Sequence, residues 1–149
     1  MVDKKDLLIL DALKENAKAS VSQIARLTGL PGTTVHNRIK RLNQEGVIKG
    51  YTIKVDQKRL GKGLEAYIAV TIDYRYLKQE KSDIQNFIKE IAKIPSVEVV
   101  NIVTGEVDAI IRVRVSNIDE LNTVLMDKLR NYKGIEKTKT MVILKSTID

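Results

Sequence analysis

The 149-residue chain has no cysteine, no tryptophan, one histidine, one phenylalanine and two prolines. Without cysteine there are no disulfides, thiolate zinc sites, iron–sulfur clusters or cysteine nucleophiles. A single histidine excludes a His-pair metal site and argues against a His-centred triad. No metal or cofactor is expected. No apolar run approaches the ~20 residues that a membrane helix needs. The opening MVDKKDLLIL interrupts its short apolar stretch with acids, so it does not read as a cleavable signal. These absences predict a cytoplasmic protein with no membrane partner. Paired titratable groups are also scarce: Glu106 and Asp108 stand near one turn without a partner base, so an enzyme is not expected.

Hydrophobic residues make up 43% of the chain, enough for a packed core. The net charge is +7, and it is unevenly spread. Residues 1–60 hold 12 Lys/Arg against 6 Asp/Glu, whereas residues 61–149 hold 14 against 13. Nearly all the excess positive charge therefore lies in the first part of the chain, which points to a polyanion partner for that part.

Residues 4–16 read as a helix, with Leu7, Leu10 and Leu13, together with Ile9 and Ala17, forming an apolar stripe. Asp3 and Asp6 suit its positive N-terminal end. Ser20 with Gln23 fits a capping box for a second helix, with Ile24, Ala25 and Leu27 as its buried candidates. Gly29 ends that helix where a left-handed conformation is tolerated. A third helix follows, with Pro31 in its first turn and Gly46 closing it. On a wheel of ~3.6 residues per turn, Val35, Ile39 and Leu42 form a narrow apolar seam. Thr33, Asn37, Lys40 and Gln44 lie opposite, Thr34 and Arg41 beside them, and Arg38 and His36 on the two flanks; none of these is an acid.

This is the pattern of a helix-turn-helix, whose second helix enters the major groove of DNA. Thr33, Thr34 and Asn37 are the candidate base readers, since Asn pairs with adenine and Thr bonds a base edge or touches a thymine methyl. Arg38, Lys40 and Arg41 are candidate phosphate contacts, with Arg26 and Lys49 as further backbone contacts. His36 is counted with the DNA-facing set. The stretches DKKDLLIL, Ser-x-x-Gln-Ile-Ala and VHNRIKRLNQEGVIKGY resemble the leucine-responsive/asparagine-regulator (Lrp/AsnC, feast/famine) family of prokaryotic transcription factors.

After the helices, 47–55 alternates enough for a strand, and the glycine-bearing 56–63 reads as a linker. Residues 64–73, 97–104, 107–115 and 137–145 read as strands. Ser82 with Gln85 caps one helix, whose Ile84, Phe87, Ile88 and Ile91 share a face. Asn117 with Glu120 caps another, which buries Leu121, Val124, Leu125, Leu129 and Tyr132. Gly105-Glu106 signals a hairpin. The order is βαββαβ, a ferredoxin-like arrangement. The predicted class is thus α+β: a winged-helix-like helix-turn-helix domain over 1–50, a strand and linker over 51–63, and a ferredoxin-like domain over 64–149.

Several strands carry apolar residues on both faces: Val97, Val99 and Val103 alternate with Val100 and Ile102, and Ile110 opposes the face of Ile111. Helices cover one face only, so a second copy of the sheet is the expected cover and a homodimer is predicted. The same order occurs in RNA-recognition domains, but those stack bases on exposed aromatics, and only Tyr67 lies on these strands. The resemblance extends over this second half, to the family's amino-acid-responsive domain. It implies dimers, or octamers, and an amino-acid effector held near Thr104, Gly105 and Asp108, with Thr138 and Thr140 lining the same region. It also implies a palindromic double-stranded DNA site.

Overall fold

The computed structural model describes residues 1–146. The chain divides into two compact units, Met1–Lys54 and Val55–Asp149.

The first unit contains α1 (Lys4–Glu15), α2 (Val21–Thr28) and α3 (Gly32–Gln44). Asp3 and Ser20 cap α1 and α2, each through a reciprocal capping box. Gly29 takes φ +70°, where a side chain is disfavoured, and so lets α2 stop short and the chain turn into α3. Pro31 lies one position earlier than expected. It is the N-cap of α3, with an extended ψ of 141°, and its carbonyl accepts from the Val35 N–H at 3.0 Å. The small core is Ile9, Ile24 and Val35, with Ala12, Leu13, Val21, Leu30 and Ile39 packed around it.

Two stripe assignments differ from the sequence expectation. Leu7 is exposed, and the buried residue one position before it is Asp6. Leu27 is 71% exposed, whereas Val21 and Leu30 pack against the cluster that holds Ile24. Residues 47–55 form no strand. Their alternation survives as a row of exposed apolar side chains, Val47, Tyr51, Ile53 and Val55. A strand needs a hydrogen-bonded neighbour, and among the described residues no other segment pairs with this one.

The second unit is a four-stranded antiparallel sheet, β1 (Leu64–Ile72), β2 (Val97–Ile102), β3 (Ala109–Val115) and β4 (Ile135–Val142), in the order β2-β3-β1-β4. This is the ferredoxin-like order. Ala66, Ile68, Val70 and Ile72 of β1 share a face with Ala109, Ile111, Val113 and Val115 of β3, and all eight are buried. Helix α5 (Ile84–Ala92) covers that face with Phe87 and Ile91. Helix α6 (Ile118–Thr123) and the π-helical turn that continues it (Val124–Leu129) add Leu121, Val124 and Leu129. Leu125 and Tyr132 pack at the margin, and Tyr132 meets the Phe87 ring edge-on at 5.3 Å.

Sequence reading missed the short helix α4 (Tyr74–Gln79), which Asp73 caps by accepting from two backbone N–H groups. The cap of α5 is Asp83 rather than Ser82: the carboxylate accepts from the Asn86 N–H at 2.8 Å. Asn117 caps α6 as expected. Strand β4 begins two residues earlier than expected and ends three earlier.

The face of the sheet away from the helices is mixed. By register it carries Glu65, Tyr67, Ala69, Ile110, Arg112, Arg114, Val99 and Met141. A register shift between Val97 and Val99 puts these two on opposite faces, against the simple alternation read from sequence. The charges on this face pair with one another. Arg114 reaches Glu65 at 2.5 Å and Glu98 at 2.8 Å, and Arg112 lies 3.1 Å from Glu98.

Candidate nucleic-acid interface and effector region

Helix α3 is held by its apolar seam: Val35 and Leu42 are fully buried and Ile39 packs on the small core. That seam turns the opposite side outward. Thr33, His36, Asn37, Lys40 and Gln44 are exposed, and Thr34 is half-buried. Five polar or basic groups thus stand on one side of a 13-residue helix, with no acid among them. They offer both donors and acceptors, as base-edge reading requires.

Arg38 and Arg41, expected as phosphate contacts, are bonded to carboxylates of the first unit. Nη1 of Arg38 donates to both oxygens of Asp3 at 2.7 Å and to Asp6 at 2.9 Å. Nη2 of Arg41 donates to Asp6 at 2.6 Å. The two carboxylates are themselves fixed by the α1 cap, because the Asp3 N–H donates to Asp6 at 2.9 Å and the Asp6 N–H donates to Asp3 at 3.0 Å. Asp6 is fully buried, the one buried charged residue among those described. Arg38 beside Asp3 holds that carboxyl at about 2. Burial pushes Asp6 upward, but the Asp3 N–H and the two guanidinium groups outweigh it, and its carboxyl sits below the usual range. Sequence reading saw Asp3 and Asp6 only as helix-dipole partners. A +3 acid spacing at the start of α1 and a +3 arginine spacing in α3 were visible, but not that the two pairs face each other.

In the second unit the residues implied for the effector are not gathered in one cavity. Thr104 and Gly105 are exposed in the loop between β2 and β3, which the Val103 N–H closes onto the Asp108 carbonyl at 3.0 Å. Gly105 has φ +130°, a conformation for glycine. Asp108 is half-buried and already bonded: it accepts from the Ile72 N–H at 2.8 Å and from the Tyr74 hydroxyl at 3.0 Å. Burial and the Asp108 carboxylate raise the Tyr74 hydroxyl above its ordinary pKa. The Asp108 N–H donates to the Val70 carbonyl, and Thr138 pairs with Val70 from the other side. Asp108 and Thr138 therefore flank β1 across two strand spacings, roughly 10 Å apart. Thr138 lines a shallow depression of about 360 Å³ with Arg130, Ile135, Glu136 and Lys137. Thr140 is half-buried beside Ile68. Among the described residues no cluster of His, Cys, Asp or Glu is suited to a metal, and no helix is long and apolar enough to cross a membrane.

The two units match two known families in the same order. Residues 2–49 match the winged helix-turn-helix DNA-binding family, and residues 65–149 match the Lrp/AsnC ligand binding domain. An HTH-type transcriptional regulator of Pyrococcus furiosus is 39% identical over 142 residues, covering 95% of this chain and 92% of its own. A counterpart in Pyrococcus abyssi is 40% identical with the same coverage. Among solved structures, E. coli AsnC is similar with a TM-score of 0.84 and 26% identity, over 100% of this chain and 96% of its own. A transcriptional regulator of Neisseria meningitidis, solved with L-methionine, shares the fold with a TM-score of 0.88 and 23% identity, over 99% and 92%. With an outward polar helix in the first unit, a ferredoxin-like second unit and these matches over both, the chain belongs to the Lrp/AsnC family of HTH-type transcriptional regulators.

Proposed function

We propose that this regulator reads a two-fold symmetric duplex through α3 and binds it as a homodimer or higher oligomer. Thr33, Thr34 and Asn37 contact base edges, Lys40 contacts phosphate, and His36 lies on the flank of the same face. The observation that carries this reading is the orientation of α3: Val35 and Leu42 are sealed in the core, so the acid-free polar side faces outward. Two copies of the chain present two such helices to two half-sites. Pairing uses the second face of the sheet, where Tyr67, Ala69, Ile110 and Met141 surround the ion pairs of Arg112 and Arg114.

An amino acid modulates binding through the region of Thr104, Gly105, Asp108, Thr138 and Thr140. The regulators of Neisseria meningitidis and Mycobacterium tuberculosis that share this fold hold L-methionine. Asp108 accepts one hydrogen bond at each oxygen, and each carboxylate oxygen has a second lone pair for a ligand ammonium. The ligand acts by binding one oligomeric arrangement more tightly than another.

The test is selection of bound duplexes from a random pool, with and without free amino acids, followed by affinity measurement across salt concentration. The expected outcome is a symmetric site, affinity that falls steeply with salt through counterion release, and a change of affinity with one amino acid. No enrichment, or a flat salt response, overturns the DNA reading. Enrichment that no amino acid alters overturns the effector reading alone.

A further inference from the structure

We propose that Asp3 and Asp6 are positioning residues for DNA recognition: they hold Arg38 and Arg41 on the α1 side of the recognition helix and so withhold two cations from the phosphate backbone. This rests on the reading of α3 as the DNA-facing helix. Arg38 and Arg41 border the outward face formed by Thr33, Asn37, Lys40 and Gln44. Unrestrained, arginines at such borders grip phosphates, a contact that strengthens binding to every sequence alike. Here they are engaged. The side chain of Arg38 is 22% exposed and bonded to two carboxylates, and that of Arg41 is 40% exposed and bonded to the fully buried Asp6.

The carboxylates cannot follow an arginine that swings outward, because each is tied to the backbone N–H of the other's residue. The cap alone does not demand two acids. Asn serves an N-cap as well as Asp does, so beyond its favourable place at the helix dipole the charge at residue 3 has Arg38 to face. Restraint of the two arginines favours sequence discrimination over total affinity.

The experiment compares the wild type with Asp3→Asn, which keeps the cap and removes a charge facing Arg38. Both are titrated against the selected operator and a scrambled duplex over a range of salt concentrations, with a thermal melt confirming the fold. Asp3→Asn is expected to steepen the slope of log affinity against log salt by up to about 0.9 for a freed arginine. Affinity for the scrambled duplex is expected to rise about threefold to tenfold, and for the operator by less, so that the ratio of the two falls. Asp6→Asn shows the same change more strongly if it folds. Arg38→Gln, in the otherwise unchanged chain, leaves the slope where it was.

The proposal is overturned if Asp3→Asn matches the wild type in slope and ratio, or if Arg38→Gln flattens the slope by close to one unit. A wild type that binds no duplex is a different failure, visible before any variant is compared, and it removes the DNA reading on which the proposal stands.

Discussion

At the scale of single residues, the outward side chains of α3 divide by chemistry. Asn37 has a donor and an acceptor side by side and suits adenine. Lys40 is a point charge, whose chemistry suits a phosphate contact that does not read sequence. Asn37→Ala is expected to lose about 1–3 kcal/mol of discrimination at one base position. Lys40→Ala is expected to weaken all duplexes about equally and to flatten the salt slope by about 0.9. Competition binding with single-base operator variants separates the two. Equal losses across all sequences for both variants would undo the assignment.

The pH response also belongs to this scale. Asp3 is held at about 2 in the folded protein by Arg38, below the ~3.9 of a free aspartate. A depressed carboxyl contributes stability that is fully present above its unfolded pKa and is lost as the pH falls through the folded one. Melting temperature is therefore expected to drop between about pH 4 and pH 2 more in the wild type than in Asp3→Asn. Between pH 5 and pH 8 this group contributes no change. Parallel curves for the two proteins across the acid range would contradict the ion-pair account.

At the scale of elements, α5 and strand β3 show how locally consistent patterns survive folding. Ile84, Phe87, Ile88 and Ile91 share one helix face, and all four pack against the sheet. Phe87 is fully buried and meets Tyr132 edge-on. Phe87→Ala is expected to cost about 3–5 kcal/mol, by lost transfer energy and the cavity left behind. Chemical denaturation measures this, and a loss under about 1 kcal/mol would mean that the sheet face collapses onto α5 without it. Two differences from expectation come from a nearby residue with a competing claim. Asp83 displaces Ser82 as a cap, and Asp73 starts a helix that apolar periodicity is too short to announce. Residues 47–55 have the pattern of a strand and lack a partner for it among the described residues.

At the scale of the whole molecule, the sheet has one face sealed by helices and another on which apolar and ion-paired residues mix. Ile110 lies on that second face, opposite Ala69 on β1 and Asn101 on β2. If two copies pair through this face as proposed, Ile110→Glu shifts them from dimer toward monomer while the circular dichroism spectrum is kept. Operator affinity then falls as the two half-sites lose their linkage. Sedimentation gives the mass directly, and an unchanged mass would rule out pairing through this face. The charge asymmetry has its meaning at this scale as well. The excess of Lys/Arg lies in residues 1–60, where α3 turns outward, and the rest of the chain is nearly balanced.

Much was legible in the sequence because it depends on neighbours close along the chain. The capping pairs Ser20/Gln23 and Asn117/Glu120, the left-handed Gly29, the seam of Val35, Ile39 and Leu42, and the βαββαβ order all rest on local spacing and side-chain type. The outward set Thr33, Asn37 and Lys40 follows from that seam by helix geometry alone. Tertiary structure decided what local spacing cannot carry. It placed Asp3 and Asp6 against Arg38 and Arg41 across some 35 residues of chain, committed Asp108 to Ile72 and Tyr74, and shifted β2 by a register between Val97 and Val99. An ion pair between distant helices depends on how their axes cross, and a ladder depends on which strand lies alongside. Both are properties of packing, which no single segment contains.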